Sequence, residues 1–247
     1  MTEKFKLQNN QYNFPYHHIP YFREDGTPAL MRFLGWGMDY LCYMKHIRDM
    51  VTELKPASIL DVGCGDGYFL RSLDSLPAYK LGVDLSKEAI RFAQAFHSEE
   101  IYRCMDAAAL DEQFDVVTAI EVLEHVPDDT VASFVQTLYD RTKPGGHLIV
   151  SVPSTVLPLQ AKHYRHYDKA LLDQHVHMGQ GQWKTQEMIS LFSGDDIFYT
   201  WFMRLTENRF WTLDSPFLNK LIWRRLWRRR ITPNLGYHIV GTFCKIP

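Results

Sequence analysis

Short apolar runs rich in β-branched residues alternate with segments of helical periodicity along the middle of the chain. The pattern predicts a helix over 34–54, ended by Pro56, and then strands alternating with helices as far as residue 177. The strands are predicted at 58–63, 79–84, 101–105, 114–121 and 146–152, and the helices at 67–75, 86–97, 129–142 and 167–177. Such alternation predicts an α/β fold with a doubly wound, mostly parallel sheet and right-handed crossovers.

The two ends of the chain depart from this alternation. Residues 1–33 are predicted to form an N-terminal arm, and residues 34–247 a single domain. Five aromatic residues and two histidines lie within 12–22, a density that suits a lid over a substrate, sugar rings included. An arm that packs on the domain without touching a ligand is the alternative. Strands are also predicted at 196–203 and 237–245, and an insertion of unassigned structure at about 205–235.

A turn with glycines at alternate positions follows the first predicted strand. Gly63, Gly65 and Gly67 precede a helical pattern that begins at Tyr68, which is where open α/β sheets hold a nucleoside. The spacing is G-x-G-x-G rather than the dinucleotide G-x-G-x-x-G, and no Gly-Lys-Ser/Thr follows, which excludes a P-loop. Two neighbouring acids, Asp61 and Asp66, disfavour a phosphate but suit a ligand that carries an ammonium and a sulfonium.

Five motifs in order over roughly 32–170 resemble those of the class I S-adenosylmethionine (SAM) dependent methyltransferases. They are Asp61-Val-Gly-Cys-Gly-Asp-Gly67, Gly82-Val-Asp-Leu-Ser86, Asp106-Ala107, the run 114–126 and the run 143–153. The resemblance implies an enzyme that transfers a methyl group from SAM (EC 2.1.1 class). It also implies a Rossmann-like sheet closed by an antiparallel C-terminal pair, which the predicted strands at 196–203 and 237–245 would supply.

The cofactor-binding residues are expected around the glycine turn. Asp61 and the backbone of the three glycines would line the methionine, and Asp84 can accept hydrogen bonds from both ribose hydroxyls. The resemblance implies that Leu85 packs on the adenine, that Asp106 takes the adenine amino group, and that Ala107 donates from its backbone. The structural alternatives are a helix N-terminal acid for Asp84 and an ordinary loop acid for Asp106.

The chemistry is predicted to centre on Glu121-Val-Leu-Glu-His125, which follows the fourth strand and so lies at the carboxyl edge of the sheet. Methyl transfer needs an aligned acceptor that loses a proton, and His125 is the natural base because imidazole titrates near neutral pH. His163 and His166 follow the fifth strand as acceptor-binding or base candidates. The predicted catalytic residues are His125, Glu121, His163 and His166.

A second interpretation makes the same run a site for Mg²⁺ or another divalent cation. Its ligands would be Glu121, Glu124, His125 and His163. The run resembles ubiquinone-pathway O-methyltransferases and small-RNA 3′-terminal 2′-O-methyltransferases, in which Glu-x-x-Glu-His carries a metal. The alternatives are that Glu121 lines the cofactor pocket and that Glu124 caps the next turn.

The acceptor is predicted from weaker signals. The aromatic arm, the run 35–40 and the run 162–167 resemble bacterial methyltransferases associated with glycan assembly, which implies a sugar or glycan hydroxyl. The alternatives are an RNA 2′-hydroxyl, a small-molecule or lipid O- or N-acceptor, and a non-catalytic SAM-binding scaffold.

Composition narrows the partners. A formal charge of −2 and a pI near 6.6 make nucleic acid an unexpected partner. The four cysteines lack paired spacing, no apolar run reaches roughly 18 residues, and the polar start is no signal peptide, so a cytoplasmic protein is expected. The oligomeric state is not predicted.

One segment suggests peripheral membrane contact. Residues 220–230 contain six cations and two tryptophans, and within 218–230 the residues Leu218, Leu221, Ile222 and Leu226 share a helical face. Binding of a phosphate backbone or a diphosphate, and a packed helix with a solvated basic face, are the alternatives.

Overall fold

The computed structural model describes residues 2–9, 21–22, 25–29, 34–98, 101–206, 208 and 213–246. The helices are α1 (Glu3–Asn9), α2 (Leu34–Leu54), α3 (Tyr68–Arg71), α4 (Lys87–Phe96), α5 (Val131–Arg141), α6 (Lys169–Val176), α7 (Ile197–Thr206) and α8 (Pro216–Arg228). The strands are β1 (Tyr21–Phe22), β2 (Pro28–Ala29), β3 (Ser58–Val62), β4 (Tyr79–Asp84), β5 (Tyr102–Cys104), β6 (Phe114–Ile120), β7 (Thr142–Pro153), β8 (Trp183–Leu191), β9 (Ile231–Thr232) and β10 (His238–Lys245).

Eight strands form one sheet in the order β5-β4-β3-β6-β7-β10-β8-β9. The first five of these are parallel to one another, and β10 runs antiparallel to both β7 and β8. The strand order reverses between β3 and β6, which places a cleft outside the carboxyl ends of these two strands. The predicted fold class, Rossmann-like and mostly parallel with an antiparallel C-terminal strand, is confirmed.

Helices cover both faces of the sheet because neighbouring residues of each buried strand point to opposite sides. Leu60 packs in a cluster that includes Leu138 of α5 and Leu172 of α6. Ile59 packs in a second cluster with residues of α2, α3 and α4. The parallel strands are thus buried on both faces, as their continuous apolar runs require.

The predicted strand at 196–203 is wrong, because the segment is helix α7. Its aromatic, β-branched composition favours a strand, but the Asp196 carboxylate accepts hydrogen bonds from the backbone N–H of Phe198 and Tyr199 and so starts a helix. Tyr199, Phe202 and Thr206 are then buried at helical spacing. The strand that pairs with β10 is instead β8, in which the consecutive polar and exposed residues 184–187 hide the strand pattern in the sequence.

The insertion predicted at about 205–235 contains α8. Ser215 caps this helix and Pro216 occupies its first turn, the position where proline is best tolerated. Ile222 and Leu226 face inward as expected, but Leu221 is 58% exposed, so the predicted four-residue face is only partly correct. Among the described helices, none is sufficiently long and apolar to cross a membrane.

Residues 10–20, which contain most of the aromatic run, lie outside the described residues, and the aromatic lid stays a prediction. Tyr21–Phe22 and Pro28–Ala29 form a short antiparallel pair, and α1 precedes the aromatic run.

Candidate active site

The glycine turn after β3 forms a tight loop at the carboxyl edge of the sheet. Gly63, Gly65 and Gly67 have φ values of 73°, 55° and 76°, a left-handed region that side chains rarely adopt. A Cβ atom on Gly63 would lie 2.5 Å from Cγ2 of Val122, and one on Gly67 would lie 2.6 Å from the Tyr102 ring. The turn therefore needs glycine for backbone conformation and for close packing.

Asp84 connects this loop to the N-terminus of α4. Its Oδ2 accepts a hydrogen bond from the Gly65 N–H at 3.0 Å, and its Oδ1 accepts one from the Ser86 N–H at 2.7 Å. Each carboxylate oxygen has room for a second donor. Burial raises the pKa of Asp84, and the N–H donors from Ser86 and Gly65 oppose that shift. The carboxylate is thus fixed in place with capacity for two further hydroxyl donors.

Leu85 and Asp106 lie beside Asp84 at the mouth of the cleft. Leu85 is 60% exposed, as expected for a side chain that can cover a ring. The backbone N–H of Met105 donates to the Asp84 carbonyl, which places the next residue near the same edge. Asp106 is exposed, and its Oδ1 accepts from the Ala108 N–H and caps a short 3₁₀ turn, while Ala107 is buried.

Three potential ligand groups meet where β6 and β7 end. Glu124 and His125 lie in a 3₁₀ turn after β6, and His163 lies in the loop after β7. One ligand atom from each of these residues lies within 4.8 Å of the others. Glu124 is almost completely buried, and its Oε2 has no hydrogen-bond partner among the described residues. We refer to Glu124, His125 and His163 as the edge cluster.

Hydrogen bonds assign the tautomers of the histidines. Nδ1 of His125 lies 3.2 Å from the Lys162 carbonyl, and Nδ1 of His166 lies 3.0 Å from the Leu157 carbonyl, so both nitrogens carry protons. Nε2 of His166 is therefore an acceptor, 2.8 Å from Nδ1 of His163. The Nε2 atoms of His125 and His163 are left with lone pairs, and His166 acts behind His163.

Protonation in the edge cluster differs from the sequence-based expectation. Burial, with a smaller effect of Lys162, lowers the pKa of His125 to about 4, so this side chain is neutral at pH 7 rather than half-protonated. Burial and then the neighbouring His125 lower the pKa of His163 to about 3. Burial and then Glu121 raise the pKa of Glu124 well above its usual value. Neutral imidazole is the form that binds a metal ion.

Glu121 is not part of the edge cluster. It leaves β6 with a left-handed φ of 54°, and its Oε1 accepts a hydrogen bond from the Ser151 hydroxyl at 3.0 Å. The same oxygen lies 3.2 Å from Nδ1 of His238, whose Nε2 lies 3.0 Å from Oδ2 of Asp39. Burial favours a neutral His238, but Asp39 and then Glu121 outweigh it and raise its pKa well above the usual value.

Sequence reasoning missed three residues that support the site. Asp39 lies on α2 within the run 35–40, where no role was predicted for its carboxylate. His238 lies on β10, remote in sequence from every motif, and only the pairing of β10 with β7 brings it to the carboxyl edge. Arg165 donates to the carbonyls of Leu123 and Val126 and so attaches the His163 loop to the turn of the edge cluster.

Comparison with known proteins decides the family. A family model described as "Methyltransferase domain" matches residues 38–197. The chain belongs to this methyltransferase family. Together with the fold, the match confirms the predicted class, a SAM-dependent methyltransferase.

Curated relatives match part of this methyltransferase. It is 39% identical over 111 residues to the ubiquinone biosynthesis O-methyltransferase of Cupriavidus pinatubonensis, covering 42% of this chain and 44% of the relative. It is 42% identical over 101 residues to the enzyme of the same name from Ralstonia nicotianae, covering 38% of this chain and 42% of that one. The matched region thus spans less than half the length of these relatives.

Solved structures share the fold of the methyltransferase. Magnesium protoporphyrin IX methyltransferase from Synechocystis with bound S-adenosylhomocysteine (SAH) superposes with a TM-score of 0.62 at 13% identity, covering 98% of this chain and 100% of that one. The N-methyltransferase NodS from Bradyrhizobium japonicum with SAH gives 0.58 at 12% identity, covering 99% of each chain.

Asp61 is a buried acid beneath the glycine loop of the methyltransferase. It is 2% exposed, and its Oδ1 accepts a hydrogen bond from the Thr118 hydroxyl at 2.6 Å. Burial raises its pKa to about 7; the Thr118 hydroxyl opposes this, and Asp84 and Asp66 add to it. A cationic group nearby would lower that pKa again.

We expect Asp61→Asn to stabilise the ligand-free methyltransferase at pH 8. Because the pKa of Asp61 rises from 3.8 to about 7 on folding, its contribution to stability is retained below pH 4 and lost as the pH rises to 7. The variant should gain up to about 4 kcal/mol at pH 8 and little at pH 4. Urea unfolding at both pH values measures this, with the exposed Asp111→Asn as control. An equal change at both pH values would contradict it.

Helix α1 lies across the mouth of the cleft. The Lys4 ammonium donates to the carbonyl of Ala161 at 3.0 Å and to that of His163 at 2.6 Å. At the other end of α1, the Asn9 side chain is hydrogen-bonded to the Ser86 hydroxyl. α1 therefore connects the loop of the edge cluster to the turn beside Asp84.

Proposed function

We propose that this methyltransferase transfers the methyl group of SAM to a hydroxyl oxygen held against the edge cluster. The observation that carries the proposal is the convergence of Glu124, His125 and His163 within 4.8 Å at the carboxyl edge of the sheet. The printed names of the relatives, O-methyltransferases of ubiquinone biosynthesis, support a hydroxyl acceptor.

The proposed SAM site extends from the glycine loop to the mouth of the cleft. Asp84 binds the ribose hydroxyls with its two remaining acceptor positions, and Leu85 covers the adenine. Asp61 lies under the methionine and offsets its ammonium charge. The full set is Asp61, Gly63, Gly65, Gly67, Asp84, Leu85, Asp106, Ala107 and Glu121.

The reaction is a displacement at carbon. The acceptor oxygen forms a bond to the methyl carbon, the carbon–sulfur bond breaks, and its electron pair returns to sulfur. The hydroxyl proton must leave, and where no cation occupies the edge cluster, Nε2 of His125 or of His163 can accept a hydrogen bond from it. His166 holds His163 in the tautomer that keeps this nitrogen unprotonated.

The edge cluster also fits a divalent cation. The unpartnered buried Oε2 of Glu124 and two imidazole lone pairs form a donor set that otherwise leaves a polar atom unsatisfied. A bound cation supplies Lewis-acid activation of the acceptor hydroxyl. Imidazole nitrogens suit a transition metal better than Mg²⁺, which prefers oxygen ligands. The ligands we propose are Glu124, His125 and His163, without Glu121, which is engaged by Ser151 and His238.

The relatives' names favour a ring hydroxyl of a quinone-type molecule as acceptor. A sugar or glycan hydroxyl stays a prediction, since the aromatic arm on which it depends lies mostly outside the described residues.

We expect the protein to transfer label from methyl-labelled SAM to a hydroxyl acceptor, and we expect a chelator to inhibit this transfer. The protein is incubated separately with catechol as a mimic of a quinone precursor, with sugar nucleotides, with lipid-linked glycans and with small RNA, each with and without EDTA. Rates should fall at least tenfold with EDTA and recover on addition of Mn²⁺ or Zn²⁺. EDTA-resistant labelling would overturn the cation proposal, and labelling only of an amine would overturn O-methylation.

A further inference from the structure

The outer side of the α7–α8 pair carries large exposed apolar side chains. On α7, Phe198 is 58% exposed and Trp201 is 63% exposed; on α8, Phe217 is 76% exposed and Leu221 is 58% exposed. The opposite sides of both helices bury Phe202, Ile222, Trp223 and other residues in one shared cluster. The exposed residues therefore point away from the core. We refer to Phe198, Trp201, Phe217 and Leu221 as the outer face.

Cations surround the outer face. The Arg225 guanidinium lies 4.4 Å from the centre of the Phe198 ring, and that of Arg204 lies 5.9 Å from the Trp201 ring. Arg224 and Arg228 are exposed one helical turn and two turns beyond Leu221. Residues 197–230 contain eight Lys and Arg against two Asp and Glu, although the whole chain has a charge of −2. Positive charge is thus concentrated on the α7–α8 pair.

Asp196 neutralises part of this charge. It lies 2.7 Å from Arg225 and 3.1 Å from Arg229. Within the described part of the chain, Arg204, Arg224 and Arg228 form no ion pair. These three arginines leave the outer face with an excess of positive charge.

The α7–α8 pair projects from the edge of the sheet at which the edge cluster lies. Leu191, the last residue of β8, pairs with His238, the first residue of β10. His238 also pairs with Pro153 at the end of β7, and its side chain contacts Glu121. The segment that runs from β8 through α7 and α8 to β10 therefore begins and ends at the carboxyl edge of the sheet.

We propose that the outer face docks on an anionic phospholipid membrane and brings the carboxyl edge towards an acceptor carried in lipid; the acceptor half rests on the proposed function. Aromatic and leucine side chains enter the headgroup boundary, while flanking arginines bind lipid phosphates. Two positive outer faces repel each other, which disfavours a second copy as occupant. A nucleic-acid backbone would use the arginines alone.

Vesicle sedimentation of the protein tests the proposal. The vesicles are phosphatidylcholine alone or phosphatidylcholine with phosphatidylglycerol, at low and at high salt. Binding should require phosphatidylglycerol and should weaken at high salt. The double variant Arg224→Glu/Arg228→Glu should lower the affinity at least tenfold, since each basic residue near the surface contributes about 1 kcal/mol. The double variant Trp201→Ser/Phe217→Ser should also lower it at least tenfold, since it removes aromatic side chains that enter the headgroup boundary. Unfolding midpoints report whether the variants remain folded.

A matched control exists on α4. Phe96 is an exposed aromatic residue with the Arg71 guanidinium 5.7 Å from its ring centre. Because Phe96 is not part of the outer face, the Phe96→Ser variant should bind vesicles like the parent. Equal loss in this control, absence of binding at low salt, or tighter binding to RNA than to vesicles would overturn the proposal. Methylation of soluble catechol should be unchanged in the α8 charge variant, so failure of docking and failure of the proposed function are separable.

Discussion

Asp84→Ala is expected to lower the affinity for SAH at least 100-fold. In the proposed SAM site the carboxylate accepts charge-assisted hydrogen bonds from two ribose hydroxyls, each contributing roughly 1.5–3 kcal/mol. The substitution also removes the acceptor that fixes the N–H groups of Gly65 and Ser86. The loop then loses part of the order on which the methionine end of the cofactor depends.

Calorimetric titration with SAH measures the effect, and Asp111→Ala, a change at an exposed acid, serves as the control with unchanged affinity. Asp84→Asn should fall between the two, because the amide keeps one acceptor and loses the charge. An Asp84→Ala protein that binds SAH within threefold of the parent would place the ribose elsewhere. A lowered unfolding midpoint alone, with affinity retained, would make Asp84 a purely structural residue.

The part of the site that is determined by backbone conformation and strand order could be predicted from the sequence. Three alternating glycines after a strand admit few backbone paths, and the structure places Gly63, Gly65 and Gly67 in the left-handed region as required. The meeting of His125 with His163 was also predictable, although they are distant in sequence. The reason is that β6 and β7 are parallel neighbours, so the loops that follow them share one edge.

The remainder depended on tertiary contacts. Segment 196–203 has strand-like composition, but a single capping carboxylate and a helical spacing of buried aromatics decide for helix α7. The metal set expected from Glu-x-x-Glu-His included Glu121, and the sequence does not display the contacts of its carboxylate with Ser151 and with His238 on β10. The protonation of His125 followed from burial, which the sequence does not display.

His163→Ala is expected to lower kcat for the hydroxyl acceptor by roughly 10²–10³-fold and to leave the SAH affinity unchanged, because in the proposed mechanism the residue contacts the acceptor and not the cofactor. The substitution removes one of two Nε2 lone pairs in the edge cluster, together with the hydrogen bond to His166. Steady-state kinetics with the acceptor identified by labelling, combined with SAH titration, separate the two effects. His177→Ala, at the exposed C-terminal end of α6, is the matched control and should behave like the parent.

His166→Ala distinguishes direct participation of His163 from a general loosening of its loop. The ring nitrogens of His166 are hydrogen-bonded to His163 and to the Leu157 carbonyl. Because His166 therefore acts by positioning His163, its replacement by alanine should lower kcat roughly tenfold. His166→Gln, which retains an acceptor for the His163 Nδ1–H, should recover most of that loss. If His166→Ala lowers kcat as far as His163→Ala and glutamine does not restore it, the two histidines form one catalytic unit. If instead neither change affects kcat while chelation still abolishes activity, the cation lies outside the edge cluster and the acceptor must be sought on the Glu121 side of the cleft.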